Sequence, residues 1–474
     1  MASLSKSTSK RQKATMVDRI SNLPDSLLSH ILSFLTIKEY VATSILSSRW
    51  KLVWTLVPIV EFDANEFEWI SSSSDEEESP NQQQDQWNGY RFSFTHIVSR
   101  FIAFRNANPI QKFRLQWGCD CDPIHVDTCV RAVIACDLKE LDLRVCPRQP
   151  FYLPSSLFSY GKTLVVLKLT GYNIVLNPPS SSSLSFPSLM NLHLQSVKFA
   201  NHDSFSRLIS CCPVLQDLSV IADWLPSFRF RNYSLKIIVP TLKRLNLNMS
   251  FELYKLVINA PALEYLSFSG LLDKHLLLEN LSNLVEAVLH IVTGDDNNIK
   301  DYGNRVLDFI RALYSVKSLH LSADTTKCLC NASGFDTPMF HNLAFLNFSV
   351  DSCMWHVLPL FLERTPNLAV LILDKRTIQY ALDECSITHE WIRLLDVPKC
   401  LLLQLSAFHF KGFEGFNDEL ELVREILKWA RVLKKMTISS YPLDSEKKVC
   451  VLKQLLMFPR RSVTCEIAFN CDES

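Results

Sequence analysis

The chain has 474 residues, 47% of them apolar, with 49 basic and 49 acidic side chains. That composition excludes general disorder and supplies a large core, and the balanced charge lacks the basic stripe that nucleic-acid binding requires. No apolar run long enough for a membrane span occurs, and Met1 to Lys6 lack the apolar stretch of a secretory signal, so the 15 cysteines read as reduced, mostly packed thiols and the place of work as cytoplasm or nucleus.

Residues 1–15 are polar and basic and read as a disordered tail, with Lys10-Arg11-Gln12-Lys13 as a nuclear-import motif or simply a solvated stretch. Residues 18–60 read as a compact helical block. Leu23-Pro24 opens a first helix, since proline suits a first turn, and Leu27, Leu28, Ile31, Leu32 and Leu35 recur at helical spacing on a wide apolar face. Thr36-Ile37-Lys38-Glu39 has the capping-box form and starts a second helix with Tyr40, Val41 and Ile45. Ser47-Ser48 is expected to cap a third, with Trp50, Val53 and Trp54, which Pro58 ends. A block this small is near the lower limit for an independent fold, so it is expected to borrow core from the rest of the chain or from a partner. Residues 71–88, with Asp75-Glu76-Glu77-Glu78 and a glutamine-rich stretch, read as an acidic flexible insertion.

From 108 to 385 a phrase of the form Leu-x-x-Leu-x-Leu returns at intervals of about 21 to 32 residues. Clear copies are Leu138/Leu141/Leu143, Leu164/Leu167/Leu169, Leu189/Leu192/Leu194, Leu242/Leu245/Leu247, Leu263/Leu266/Phe268 and Leu368/Leu371/Leu373. Looser ones are Ile110/Phe113/Leu115, Leu215/Leu218/Val220, Leu284/Ala287/Leu289, Val316/Leu319/Leu321 and Leu343/Leu346/Phe348. A phrase of this period is that of leucine-rich repeats: stacked strand-containing units with a continuous core and a long surface. Side chains alternate along a strand, so the residues between the leucines face outward. They include Glu140, Asp142 and Arg144; Asn191, His193 and Gln195; Arg244 and Asn246; Ser318 and His320. These polar positions on a rigid ladder are the candidate recognition surface. The asparagine or cysteine that often follows the third leucine is present as Cys146 and replaced by Tyr172, Val197 and Ser250, so the repeats are irregular.

Past 385 the texture changes. Residues 390–440 read as a strand-like run from Leu401 to Phe410, an amphipathic helix opened by Asn417-Asp418-Glu419 with Leu420, Val423, Leu427 and Ala430 on one face, and a strand with Leu433, Met436 and Ile438. Residues 441–474 read as a terminal cap with a helix over 447–458 that Pro459 stops. The fold class expected is an α/β repeat: an N-terminal three-helix block, an irregular leucine-rich-repeat solenoid and an α/β C-terminal cap that closes its end.

Asp18-Arg19-Ile20-Ser21-Asn22-Leu23-Pro24-Asp25, Ile31-Leu32-Ser33-Phe34-Leu35 and Val41 to Trp50 resemble an F-box in order and spacing. With the repeats, Val397-Pro398-Lys399-Cys400, the helix from Glu419 to Ala430 and Val432 to Met436, nearly the whole chain resembles the plant F-box/FBD/LRR-repeat proteins. The resemblance implies a substrate-recognition subunit of an SCF-type cullin-RING ubiquitin ligase. The F-box would dock on a Skp-type adaptor that hangs from a cullin carrying the RING subunit, and the repeats would bind a target protein. Carried onto this chain, Leu23, Pro24, Leu27, Leu28, Ile31, Leu32, Val41, Leu46 and Trp50 are adaptor-binding or core positions. The acidic insertion is a departure from that pattern.

No phosphate loop is present among only 10 glycines. Cys119, Cys121, His125 and Cys129 match no common zinc finger and read as loop and core residues. No cofactor, metal, catalytic residue, nucleic-acid partner or membrane partner is expected. Two other readings stay open: a scaffold that binds the adaptor without sending its partner to degradation, and a co-receptor whose repeats hold a small molecule.

Overall fold

In the computed structural model the described residues are 19–20, 22–66, 94, 96–105, 108–179, 186–222, 234–250, 255–272, 275–293, 298–334, 336–351, 357–376 and 397–471. The basic tail and the acidic insertion lie outside them.

The described residues build one sheet of 15 strands that follow one another in chain order, from Ile59–Asp63 and Lys112–Cys121 at one end to Lys435–Ser440 and Glu466–Cys471 at the other. Every pairing is parallel and keeps the repeat in lateral register: Leu141 stands beside Leu167, and Leu167 beside Leu192. In all the copies of the phrase the three apolar residues are buried, none more than 5% exposed. They form one face of the sheet, which helices or short strands cover.

Helices begin where the sequence supplies a cap. Asp122 accepts from the Ile124 amide ahead of Pro123–Ile134, Asn298 from Asp301 ahead of Ile299–Ala312, and Asp444 from Lys447 ahead of Ser445–Met457. In one stretch of the described residues short strands take the helices' place: Ser234–Ile238, Lys255–Asn259 and His275–Glu279 form one small sheet; Phe151–Tyr152, Ile174–Leu176 and Lys198–Phe199 form another, accompanied by the helices Ser155–Tyr160 and Ser204–Ser210.

The N-terminal block contains helices Asp25–Leu32, Ile37–Ala42 and Trp50–Val53, the last two each followed by a 3-10 turn. The capping box forms as read: the Thr36 amide donates to Glu39 Oε2 at 2.8 Å and the Glu39 amide to Thr36 Oγ1 at 3.4 Å. The third helix departs from expectation, because it starts after Arg49 with no side-chain cap. Arg49 ties back instead, donating to Asp25 Oδ1 at 2.6 Å.

The block does borrow core. Tyr40, Trp54 and Phe62 pack round Phe101 at ring distances of 6.2, 5.1 and 5.2 Å. Buried Arg105 donates to Val57 O at 2.7 Å and Pro109 O at 3.2 Å, joining the block to the first repeat. Val57, Val60 and Phe62 are themselves buried in the repeat pattern, so the stack begins inside the helical block, earlier than residue 108.

At the other end, the run read as one strand from Leu401 to Phe410 is a short helix, Lys399–Leu403, followed by the strand Ala407–Phe413. The strands of the C-terminal segment extend the same parallel sheet.

Candidate interaction surfaces

Two surfaces stand out. The first is on the N-terminal block. Leu28, Leu32 and Trp50 are buried at 0%, 2% and 6%, so these three are corrected from binding residues to core. Leu28 and Leu32 are the stripe that the 8-residue first helix turns inward, and Trp50 joins the same core from the helix Trp50–Val53. Leu27, Ile31 and Leu46 are about half exposed or more, together with Phe34, Ile45 and Leu52, which reach 78%, 86% and 70%. Pro24 is exposed, and Leu23 and Val41 are half-buried. This many large apolar side chains in water on about forty residues exceeds what a monomeric surface ordinarily shows.

The second is the outward face of the sheet. Register aligns the residues between the phrase leucines into lateral rows: one contains Asn191, Asp217, Arg244 and Tyr265, the next His193, Ser219, Asn246 and Ser267. Glu286, Ser318 and Phe345 continue the first row, and His320 and Asn347 the second. The candidate residues are thus brought onto one face, although several are engaged with one another.

Asp142 is the clearest correction. It is only 3% exposed, because Arg144 donates to both its oxygens at 3.2 and 3.3 Å and Arg114 lies at 3.7 Å. It organises the two guanidinium groups and has no free carboxylate for a partner. Glu140 holds Lys168 Nζ at 3.2 Å, and Arg244 lies 3.8 Å from Asp217 and 4.4 Å above the Tyr265 ring. Ser318 Oγ is 3.2 Å from His320 Nε2. Burial holds the His320 imidazole below its ordinary value, against the opposing pull of Glu286 at 3.6 Å. Asn191, His193 and Gln195, by contrast, make no side-chain hydrogen bond or ion pair among the described residues. Lys168, Tyr265 and Phe345 share the face and were overlooked, although each is an intervening position of a copy already visible in the sequence.

The buried thiols among the described residues are unreactive. Burial pushes Cys129, Cys212 and Cys328 up to about 12 and Cys400 to about 11, so they stay protonated at neutral pH. Cys121 and Cys129 are buried and His125 stacks on Trp117, and no metal-holding cluster occurs among the described residues.

An uncovered helical block at the head of a leucine-rich-repeat sheet defines a binding protein of the F-box and repeat class. The F-box family model matches residues 20–61, that for the LRR repeats of the FBD-associated F-box protein At5g56370 matches 126–283, and the FBD model matches 394–438. The chain is 33% identical to the putative FBD-associated F-box protein At3g50710 of Arabidopsis thaliana, over 96% of this chain and 100% of that one. It is 32% identical to the F-box/FBD/LRR-repeat protein At3g52680 and 31% to At4g00160 of the same plant, over 96% of this chain and 94% and 95% of theirs. The chain belongs to the F-box/FBD/LRR-repeat family.

Proposed function

We propose that the chain is a non-catalytic substrate-recognition subunit of an SCF-type cullin-RING ubiquitin ligase, working in the cytoplasm or nucleus. The observation that carries this reading is the uncovered apolar face of the F-box. Leu27, Ile31, Phe34, Ile45 and Leu46 stand in water on a block whose own core is already filled by Leu28, Leu32 and Trp50. Burial against a Skp-type adaptor removes that surface from water, which is the driving force for association. The adaptor links the chain to the cullin and its RING subunit.

The outward sheet face, with Asn191, His193 and Gln195 unengaged and Arg244 stacked on Tyr265, holds a target protein. The chain brings that target close to a ubiquitin-charged enzyme, so its contribution to rate is proximity.

The test is capture of a Skp-type adaptor by the full chain beside an Ile45→Asp/Leu46→Asp variant. Both residues are exposed, so the fold survives the change. Loss of a buried apolar anchor weakens binding by about 2 kcal/mol, and the charged replacements are expected to abolish capture. Equal capture by both chains, or none by either, overturns the reading.

A further inference from the structure

On the sheet face some cations lie against carboxylates: Lys112 on Glu61, Lys168 on Glu140, Arg376 on Asp324. The turns of the last two repeats gather four cations. Arg431, Lys434, Arg460 and Arg461 are exposed, and none forms an ion pair among the described residues. They converge on one edge. The Arg461 amide donates to Leu427 O at 2.9 Å, Ser462 Oγ to Leu433 O at 2.6 Å and the Glu466 amide to Lys434 O at 2.9 Å, which sets the turns at 430–434 and 458–464 side by side.

The helix Ser445–Met457 runs straight into the second turn. It buries only Val451 and Leu455, and leaves Lys453, Leu456 and Met457 on its solvent side at helical spacing. Leu456 is 75% exposed, Met457 86% and Val463, in the adjoining turn, 100%. A nucleic acid would leave apolar side chains that stand this far out in water. Protruding apolar tips ringed by unpaired cations suit an anionic bilayer surface: the tips enter the headgroup boundary and the cations meet lipid phosphates and carboxylates.

We propose that this C-terminal end of the repeat stack docks peripherally on an anionic phospholipid surface. This departs from the expectation of no membrane partner. The docking is superficial, since no described helix is long and apolar enough to cross a membrane. It is independent of the F-box reading, and either can fail without the other.

The experiment is co-sedimentation of the purified full chain with phosphatidylcholine vesicles with and without phosphatidylserine. Sedimentation is expected only with the anionic vesicles and is expected to weaken with salt. Each cation near such a surface contributes about five-fold, so Arg460→Glu/Arg461→Glu should lower the partition by at least about twenty-fold. Leu456→Ser/Met457→Ser should lower it with charge unchanged. Lys236→Glu, an exposed charge reversal on an outer strand, should leave it as it was. Equal sedimentation with neutral vesicles, none with either, or patch variants that behave as the parent overturns the proposal. Binding of an acidic peptide or a short RNA that the patch variants abolish, with vesicles ignored, also overturns it and gives the patch to a macromolecular partner.

Discussion

Lys375 is 3% exposed and lies between two carboxylates, with Nζ 2.6 Å from Glu419 and a second contact to Glu414. Glu419 is fully buried, and its other oxygen accepts the amides of Glu414, Gly415 and Phe416 at 2.9, 2.7 and 3.1 Å. Removing one member strands a charge in the interior, so Glu419→Ala should destabilise the chain by about 3–5 kcal/mol, read by chemical denaturation. Burial works against the Lys375 ammonium, but Glu419 and Glu414 outweigh it and hold its pKa above 10.5. A raised lysine pKa stabilises fully below the ordinary value and is lost only as pH climbs through the folded one. The contact should therefore fail in alkali as Lys375 gives up its proton, and also in acid as Glu419, whose carboxyl burial pushes above its ordinary value, takes one up; a melting temperature unchanged at both extremes would contradict it. Little of this was legible in the sequence. Glu419 reads as a first-turn helix acid, and nothing in the spacing of Lys375 pairs it with a carboxylate 44 positions on. Asp142 is a similar case: alternation turns it outward, and Arg144 from its own strand, together with Arg114, which the register brings alongside, buries it.

At the scale of the element, two strands close on a glycine that the neighbouring strand requires. Gly171 has φ +151°, and a Cβ there would stand 1.8 Å from Val145 O; Gly270 has φ +127°, with Met249 O at 1.8 Å. Gly270→Ala should therefore cost about 2 kcal/mol or more through strain and displaced backbone, against little for Ser269→Ala one residue earlier, compared by urea unfolding. Equal midpoints would show that the strands can part there without penalty. Elements that repeat were the legible ones, because a buried leucine triplet restates itself along the chain and fixes both strand and register. Elements that break the repeat were not. Val57, Val60 and Phe62 were hidden because the phrase starts directly behind a helix end. The run from Leu401 reads as strand throughout, because a short apolar stretch fits either state. Pro398, which stands at the N-cap of the helix Lys399–Leu403, was the signal that could have divided it.

At the scale of the molecule, the F-box and the C-terminal segment are continuous with the stack. The F-box shares Phe101 and Arg105 with the first repeat, and the last three strands continue the sheet from Val370–Arg376 through Ala407–Phe413 to Glu466–Cys471. A repeat in a solenoid holds its neighbours and little else, so an end must be closed by a unit that tolerates water on its outer side. Ending the chain at residue 396 would remove three strands of the 15. It would uncover Leu371 and Leu373, which now pair in register with Phe408 and Phe410, and bring Lys375 into water with both its carboxylates gone. The strand Val370–Arg376 would become an unpaired edge with an apolar flank, a configuration that invites aggregation. The truncated chain is expected to elute from size exclusion as large assemblies. Adding Lys375→Met should worsen the assembly, because it takes a charge that opposes pairing away from the open edge. A monodisperse truncation with the melting temperature of the intact chain would mean that the C-terminal segment rests on the stack without closing it.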